Sequence, residues 1–170
     1  MLLVRRATEA DINETADVLR EGAAFMRTVE APAWDDARIG PDFVAGLVAA
    51  RELIIASSEG LVAGCLAMQT RDDIFWADRS GDDAFYLHKI AVRRAFAGQG
   101  VVDALIEWVC AEARANGRAF LRLDCANKPR LRARYERLGF RKVDDFFIPW
   151  SEVGEPHEGV FHTVRHERQL

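Results

Sequence analysis

Phe85-Tyr86-Leu87-His88-Lys89-Ile90-Ala91-Val92-Arg93-Arg94-Ala95-Phe96-Ala97-Gly98-Gln99-Gly100-Val101-Val102-Asp103 is the stretch that decides the fold. Its apolar residues stop at Val92, two arginines follow, and Gly98 and Gly100 open the pattern of an amphipathic helix. A strand that feeds a glycine turn and then a helix brings the helix's first-turn N–H groups, which lack intrahelical acceptors, back to the strand end. Those groups and the positive end of the helix dipole suit a phosphate or pyrophosphate, and the glycines let such a ligand approach the backbone closely. Arg93 and Arg94 flank the turn and His88 interrupts the apolar strand, which strengthens the reading of an anion site.

Working outward, Leu2 to Arg6 reads as a first strand, and Thr8 with Asp11 three residues on resembles a capping box. A helix follows from about Ala10 to Met26, with Ile12, Ala16, Leu19 and Ala23 on one stripe. Thr28 to Gly40, with Pro32 and Trp34, is irregular; Trp34 is either a packing plug or part of a substrate wall. A second helix near Pro41 to Ala50 precedes a hairpin of Leu53–Ala56 and Leu61–Gln69 around a turn at Ser57 to Gly60. Thr70 to Asp83 reads as an acidic loop. After the central strand, Val102, Leu105, Ile106, Val109 and Ala113 recur at helical spacing up to a stop at Asn116-Gly117. Phe120 to Cys125 is a strand, and Pro129 to Gly139 a helix with Leu131, Tyr135 and Leu138 inward. Phe140–Val143 and Val160–Val164 are closing strands, with Phe146, Phe147, Pro149 and Trp150 in the loop between them. This order fits an α/β fold on a mixed sheet rather than a strictly alternating one.

With 170 residues, 49% of them hydrophobic, the chain suits one domain over 1–170 with one well-buried core. Twenty-seven acidic against 23 basic residues leave a net charge of −4, which argues against nucleic acid as a partner. Cys65, Cys110 and Cys125 have neither CxxC nor histidine spacing, so they read as buried thiols and not as metal ligands or a disulfide pair. The three apolar residues between Met1 and Arg5 are too few for a signal h-region, and no run approaches a membrane span, so a soluble cytoplasmic protein with no membrane partner is expected.

Ala97-Gly98-Gln99-Gly100-Val101-Val102 resembles the [QR]-x-x-G-x-[GA] turn of the GNAT superfamily of N-acetyltransferases. Ala97 stands where the family has Gln or Arg, and Val102 where it has a small residue. The resemblance runs from about Val4 to Arg168. It implies a mixed, mostly antiparallel central sheet with four flanking helices, acetyl-CoA as cofactor, and transfer of its acetyl group to a primary amine of a small molecule or peptide. It also implies that the N–H groups around Gln99 to Asp103, with Ala97 and Gly98, meet the pyrophosphate. The backbone of Ile90, Ala91 and Val92 would then line the pantetheine arm, in a strand that in the family splays from its neighbour.

The same resemblance supplies the remaining roles. Tyr86-Leu87-His88 is similar to the His-x-His segment of arylalkylamine N-acetyltransferases, with His88 at the second histidine, which implies His88 as the base that takes the amine's proton. Glu30 or Asp35, in the loop after the first helix, is the next candidate. Tyr135 in Tyr135-Glu136-Arg137-Leu138-Gly139-Phe140 matches the family's Tyr-x-x-x-Gly-Phe ending, where the phenol lies beside the cofactor sulfur and acts as the acid. Asn127 corresponds, one residue offset, to an asparagine that holds the pantetheine arm. Lys128, Arg130, Arg132, Arg134 and Arg137 read first as a solvated helix face, the alternative being that one or two of them reach the cofactor's phosphates.

Two other classes compete. Gly98-x-Gly100 after a strand, with Asp124 ending the next strand, has the outline of a dinucleotide site, but Asp103 occupies the third glycine position and the approach to Gly98 is too long for the tight turn. A non-catalytic acyl-CoA-binding module would retain the turn and lose turnover; His88 and Tyr135 argue against it. The acidic Thr70–Asp83 segment and the aromatics Trp34, Trp76, Phe146, Phe147 and Trp150 suit a cationic amine with an apolar body. Oligomeric state, a homodimer included, stays open.

Overall fold

The computed structural model describes residues 1–31, 34–79, 81–154 and 157–170. Residues 32–33, Ser80 and residues 155–156, all within expected loops, lie outside that set. The elements run β1 (Leu3–Arg6), α1 (Ile12–Thr28), α2 (Pro41–Ala49), β2 (Leu53–Ser58), β3 (Leu61–Gln69), β4 (Ala84–Val92), α3 (Val101–Ala115), β5 (Phe120–Ala126), α4 (Pro129–Arg137), β6 (Arg141–Pro149), α5 (Trp150–Val153) and β7 (Val160–Gln169). The strands form a mixed sheet in the order β1-β2-β3-β4-β5-β7-β6. β4 and β5 are parallel, whereas β1/β2, β2/β3, β5/β7 and β6/β7 are antiparallel. The expected α/β class and four long helices are therefore present, with the four-residue α5 in addition. The chain divides into two compact units, residues 1–68 with 88–109 and residues 69–87 with 110–170.

In the first unit, α1 follows a turn closed by Asp11, whose carboxylate accepts the Thr8 amide at 2.7 Å and both ends of the Arg5 guanidinium at 2.7 and 2.9 Å. Its stripe of Ala16, Leu19 and Ala23 is fully buried against Val44 and Leu47 of α2, Leu53 and Ile55 of β2 and Val62, Cys65 and Ala67 of β3. The hairpin turn is shorter than expected. Glu59 and Gly60 both have positive φ, +54° and +82°, so two residues suffice to reverse the chain and β2 continues to Ser58.

In the second unit, α4 begins at Pro129 and is stopped by Gly139 at φ +83°, where the Phe140 amide reaches back to the Tyr135 carbonyl at 3.0 Å. β6 and β7 are much longer than the sequence pattern indicated, pairing from Arg141↔Glu167 to Pro149↔Val160. Phe146, Phe147 and Pro149 are thus strand residues and Trp150 opens α5, which corrects the expected loop. The strand persists because the paired acids Asp144 and Asp145 have partners. Arg165, on the neighbouring β7, holds Asp144 at 2.7 and 2.5 Å. His162 and Lys142 hold Asp145.

The acidic 70–83 segment is likewise engaged from within its own unit. Asp78 is bridged by Arg165 at 2.5 and 3.2 Å, and Asp83 by Arg122 at 2.9 and 3.1 Å. Trp76 is fully buried between those guanidiniums, 5.0 Å from Arg165 and 5.5 Å from Arg122. Trp76 is therefore a core residue, and these two acids neutralise arginines. Among the described residues no helix is long and apolar enough to cross a membrane.

Candidate functional site

In the first unit the glycine turn has the backbone that the anion reading requires. Gly98 and Gly100 lie at φ +79° and +74°, and a Cβ on either would meet nothing within 4 Å, so the main chain is bare on that side. The turn is braced by its own bonds, Phe96 N–H to Arg93 O at 2.9 Å, Ala97 N–H to Arg94 O at 3.1 Å and Gln99 N–H to Phe96 O at 3.3 Å. The Ala104 amide bonds the Gly100 carbonyl at 3.0 Å, which makes Gly100, Val101, Val102 and Asp103 the donors of the first turn. Gln99, grouped with them from sequence, instead directs its amide to Phe96 and its side chain to the Ala95 carbonyl at 2.9 Å. Val101 and Val102 anchor the helix start with buried side chains.

The two flanking arginines separate in role. Arg93 is engaged by its Nε on the Val62 carbonyl at 3.1 Å and by its Nη2 on Glu14 at 3.4 Å. The Arg94 amide donates to Glu21 at 2.8 Å, and its guanidinium lies 3.8 Å over the Phe25 ring. Of the two arginines that flank the turn, Arg93 thus has a bracing role.

Along β4, His88, Ile90 and Val92 are half-buried and Ala91 is buried. Lys89 lies at φ +51° in mid-strand, a left-handed value that interrupts the alternation of faces, and its Nζ sits 5.0 Å from the Trp34 ring and 5.9 Å from that of Phe43. Trp34 packs on the core beside Lys89, in the plug position. Of the alternative bases, Asp35 accepts the Ala37 amide at 3.0 Å as a cap, and Glu30 lies at φ +52° after α1.

Gly64 was not singled out in the sequence. A Cβ there would stand 2.6 Å from Val101 Cγ1 and 2.8 Å from the Ala91 carbonyl oxygen, so β3, β4 and the first residue of α3 approach one another only because this residue has no side chain. A lone glycine inside an apolar strand was the signal available.

In the second unit, Tyr135 is 7% exposed and sits edge-on to Phe140 at 6.0 Å and tilted over His166 at 6.2 Å. Burial pushes its phenol above the ordinary range, and the neighbouring Cys125 and Asp124 add to the rise. His166 is fully buried, and burial lowers its pKa; Nδ1 lies 3.2 Å from the Val164 carbonyl and 3.9 Å from Cys125 Sγ. Asn127 is exposed, with Nδ2 3.3 Å from His162 Nδ1, and His162 Nε2 in turn is 2.8 Å from Asp145. Lys128, Arg130, Arg134 and Arg137 are exposed, as a solvated face would be. All three cysteines are buried, and burial pushes the Cys65 and Cys125 thiols up to about 12, so neither is a thiolate nucleophile at neutral pH.

Residues 49–142, more than half of the chain, match the family model described as an acetyltransferase (GNAT) domain. The uncharacterized N-acetyltransferase YesJ of Bacillus subtilis is 34% identical over 70 residues, covering 41% of this chain and 39% of YesJ, so the matched region spans less than half of that relative. An uncharacterized protein in the sul1 3′ region of Escherichia coli is 36% identical over 69 residues, 41% of this chain and 88% of that protein. Among solved structures, a GNAT-family acetyltransferase from Listeria monocytogenes superposes with a TM-score of 0.73 at 24% identity over 99% of this chain and 95% of its own. The structure of yncA from Salmonella typhimurium with its cofactor acetyl-CoA gives 0.72 at 19% identity, over 99% and 94%. At those identities the structures speak to the fold, which is the same.

Proposed function

The chain belongs to the GNAT acetyltransferase family, and from that premise we propose that it transfers the acetyl group of acetyl-CoA to a primary amine. The observation that carries the reading is the turn at Gly98 and Gly100, left-handed at both glycines, opening directly onto the first-turn amides of α3. The donor set fits a pyrophosphate: amides of Gly100 to Asp103 donate to its oxygens, and charge-assisted bonds of this kind contribute about 1.5–3 kcal/mol each. Ala97 offers no side-chain donor where the family has Gln or Arg, so affinity rests on the backbone. The main chain of Ile90 to Val92 lines the pantetheine arm, and Asn127 is a further contact to it.

When bound, acetyl-CoA supplies an activated acyl group; the chain's own residues manage the protons. An alkyl ammonium titrates near ~10 and must lose a proton before it acts as a nucleophile, and His88 takes that proton, directly or through water. Tyr135 gives its phenolic proton to the departing sulfur. Burial favours the neutral phenol, which keeps this donor loaded across the neutral and mildly alkaline range.

The test is thermal stabilisation of the protein by acetyl-CoA or CoA, with NAD and ATP as controls, followed by a thiol-release screen against small amines, amino acids, aminoglycosides and polyamines. Stabilisation by acetyl-CoA together with thiol release on at least one amine is expected. A large NAD shift without a CoA shift overturns the reading, and CoA binding without release on any amine replaces it by a non-catalytic acyl-CoA module.

A further inference from the structure

The acetyl-CoA reading leaves unexplained why the exit of β4 is so heavily tied to α1. Resting on that reading, we propose that Glu14 and Glu21 of α1 are positioning residues that set the geometry of the pyrophosphate clamp. The two glutamates are seven residues apart, two turns of one helix face. Glu14 Oε1 accepts the Val62 amide at 2.8 Å and Arg93 Nη2 at 3.4 Å. Glu21 Oε1 accepts the Arg94 amide at 2.8 Å, and its Oε2 lies 4.0 Å from Arg93 Nη1. Arg93 is further fixed by its own amide on the Ala63 carbonyl at 2.9 Å and by its Nε on the Val62 carbonyl at 3.1 Å.

All but the Val62 amide bond converge on Arg93 and Arg94, the residues between the last strand position and the glycine turn, and Val62 is itself the residue whose carbonyl receives Arg93 Nε. From there the constraint passes through the backbone. The Arg93 carbonyl accepts from Phe96 and the Arg94 carbonyl from Ala97, so fixing the two arginines fixes the start of the turn that ends in Gly98 and Gly100. The two glycines add backbone freedom that a side-chain-bearing turn would lack. An external brace at its entry removes that freedom before the ligand arrives, which is how preorganisation raises affinity without a direct contact. With side-chain exposures of 25% for Arg93, 31% for Glu14 and 32% for Glu21, the brace is partly shielded from water. Neither glutamate touches the ligand in this scheme.

The experiment measures calorimetric affinity for CoA and for dephospho-CoA, with thermal melts of the ligand-free protein, in the parent, Glu21→Ala, Glu21→Gln and Glu14→Ala. Both ligands carry the pyrophosphate, and only CoA carries the ribose phosphate. Glu21→Ala is expected to weaken both ligands alike, by about 10-fold, with a melt within a few degrees of the parent. Glu21→Gln, which retains an oxygen for the Arg94 amide, is expected to recover most of the affinity, and Glu14→Ala to follow Glu21→Ala. If Glu21→Ala does not fold, Glu21→Gln and Glu14→Ala decide: parental affinities in both overturn the proposal. Parental affinities in a folded Glu21→Ala overturn it, and so does a loss confined to CoA, which would put the glutamate's influence on the ribose phosphate. A parent that binds neither ligand overturns the acetyl-CoA reading itself, and the brace with it.

Discussion

Gly64 of β3 lies directly against Val101 of α3, so close that a methyl group on it would stand 2.6 Å from Val101 Cγ1. The Ala91 carbonyl oxygen, 2.8 Å from the same point, leaves no direction of escape along β4. Gly64→Ala must therefore displace either the strand or the helix start. Overpacking of this kind costs about 1–3 kcal/mol, read as a lower Tm in a thermal melt. Because Val101 carries one of the first-turn amides, the stabilisation conferred by CoA should shrink as well. A variant with parental Tm and parental CoA shift would show that this contact yields freely.

Gly100 makes the opposite case, because a side chain there has room. A Cβ at Gly100 meets nothing within 4 Å, yet its φ is +74°. Gly100→Ala should then cost about 1 kcal/mol of backbone strain while leaving much of the CoA-induced thermal shift. Gly100→Glu adds a carboxylate at the phosphate position and should abolish the shift. The difference between the two substitutions isolates charge from conformation; equal losses would place the phosphate elsewhere.

What could be read from the sequence was what is local. The β4–turn–α3 segment announced itself through one apolar run and two glycines, and α4 through Pro129 at its start and Gly139 at its end. What escaped depended on partners far along the chain. The strand pattern of β6 stops at Val143 in the sequence, before Asp144 and Asp145, and the Arg165 and His162 that accommodate these acids lie on another strand. Arg93 could be read only as a charge flanking the turn, because its carboxylate, Glu14, is 79 residues away. Gly64 looked like an ordinary strand glycine because Val101 is not its neighbour in sequence. Lys89 shows the same limit within the site, since no residue preference favours φ +51° for a lysine in a strand.

Stability should fall on the acid side. Hydrogen bonds from Arg5 hold the Asp11 carboxyl down to about 2, and hydrogen bonds from Arg165 lower those of Asp78 and Asp144. A carboxylate whose folded pKa lies below its unfolded value, near ~3.9, stabilises the fold fully above that value and loses its contribution as pH falls through the folded one. Tm should thus stay level from pH 7 to about 5 and decline below about 4. Asp11→Asn should destabilise the fold at pH 7 by about 1 kcal/mol or more, read as a lower Tm, as Arg5 and the Thr8 amide lose their charged acceptor, and should make the acid decline shallower. An unchanged acid limb in Asp11→Asn would mean that other carboxylates dominate it.

Tyr135 offers the sharpest separation between packing and chemistry. Its ring is fixed by Phe140 and His166, so Tyr135→Phe retains the ring contacts and removes only the hydroxyl. If the phenol supplies the proton to the departing sulfur, kcat should fall by about 10-fold at least, general acid–base contributions running to ~10²–10⁴, while CoA affinity and Tm stay near parental values. The pH profile gives an independent reading. Because burial raises the phenol's pKa, the tyrosine stays protonated beyond the ordinary value near ~10, so the parent should show no alkaline loss of kcat from this group below that value. An unchanged kcat in Tyr135→Phe would return Tyr135 to the core stripe it shares with Leu131 and Leu138. A fall in kcat accompanied by an equal fall in CoA affinity would instead make the hydroxyl a binding contact, with the sulfur protonated by water.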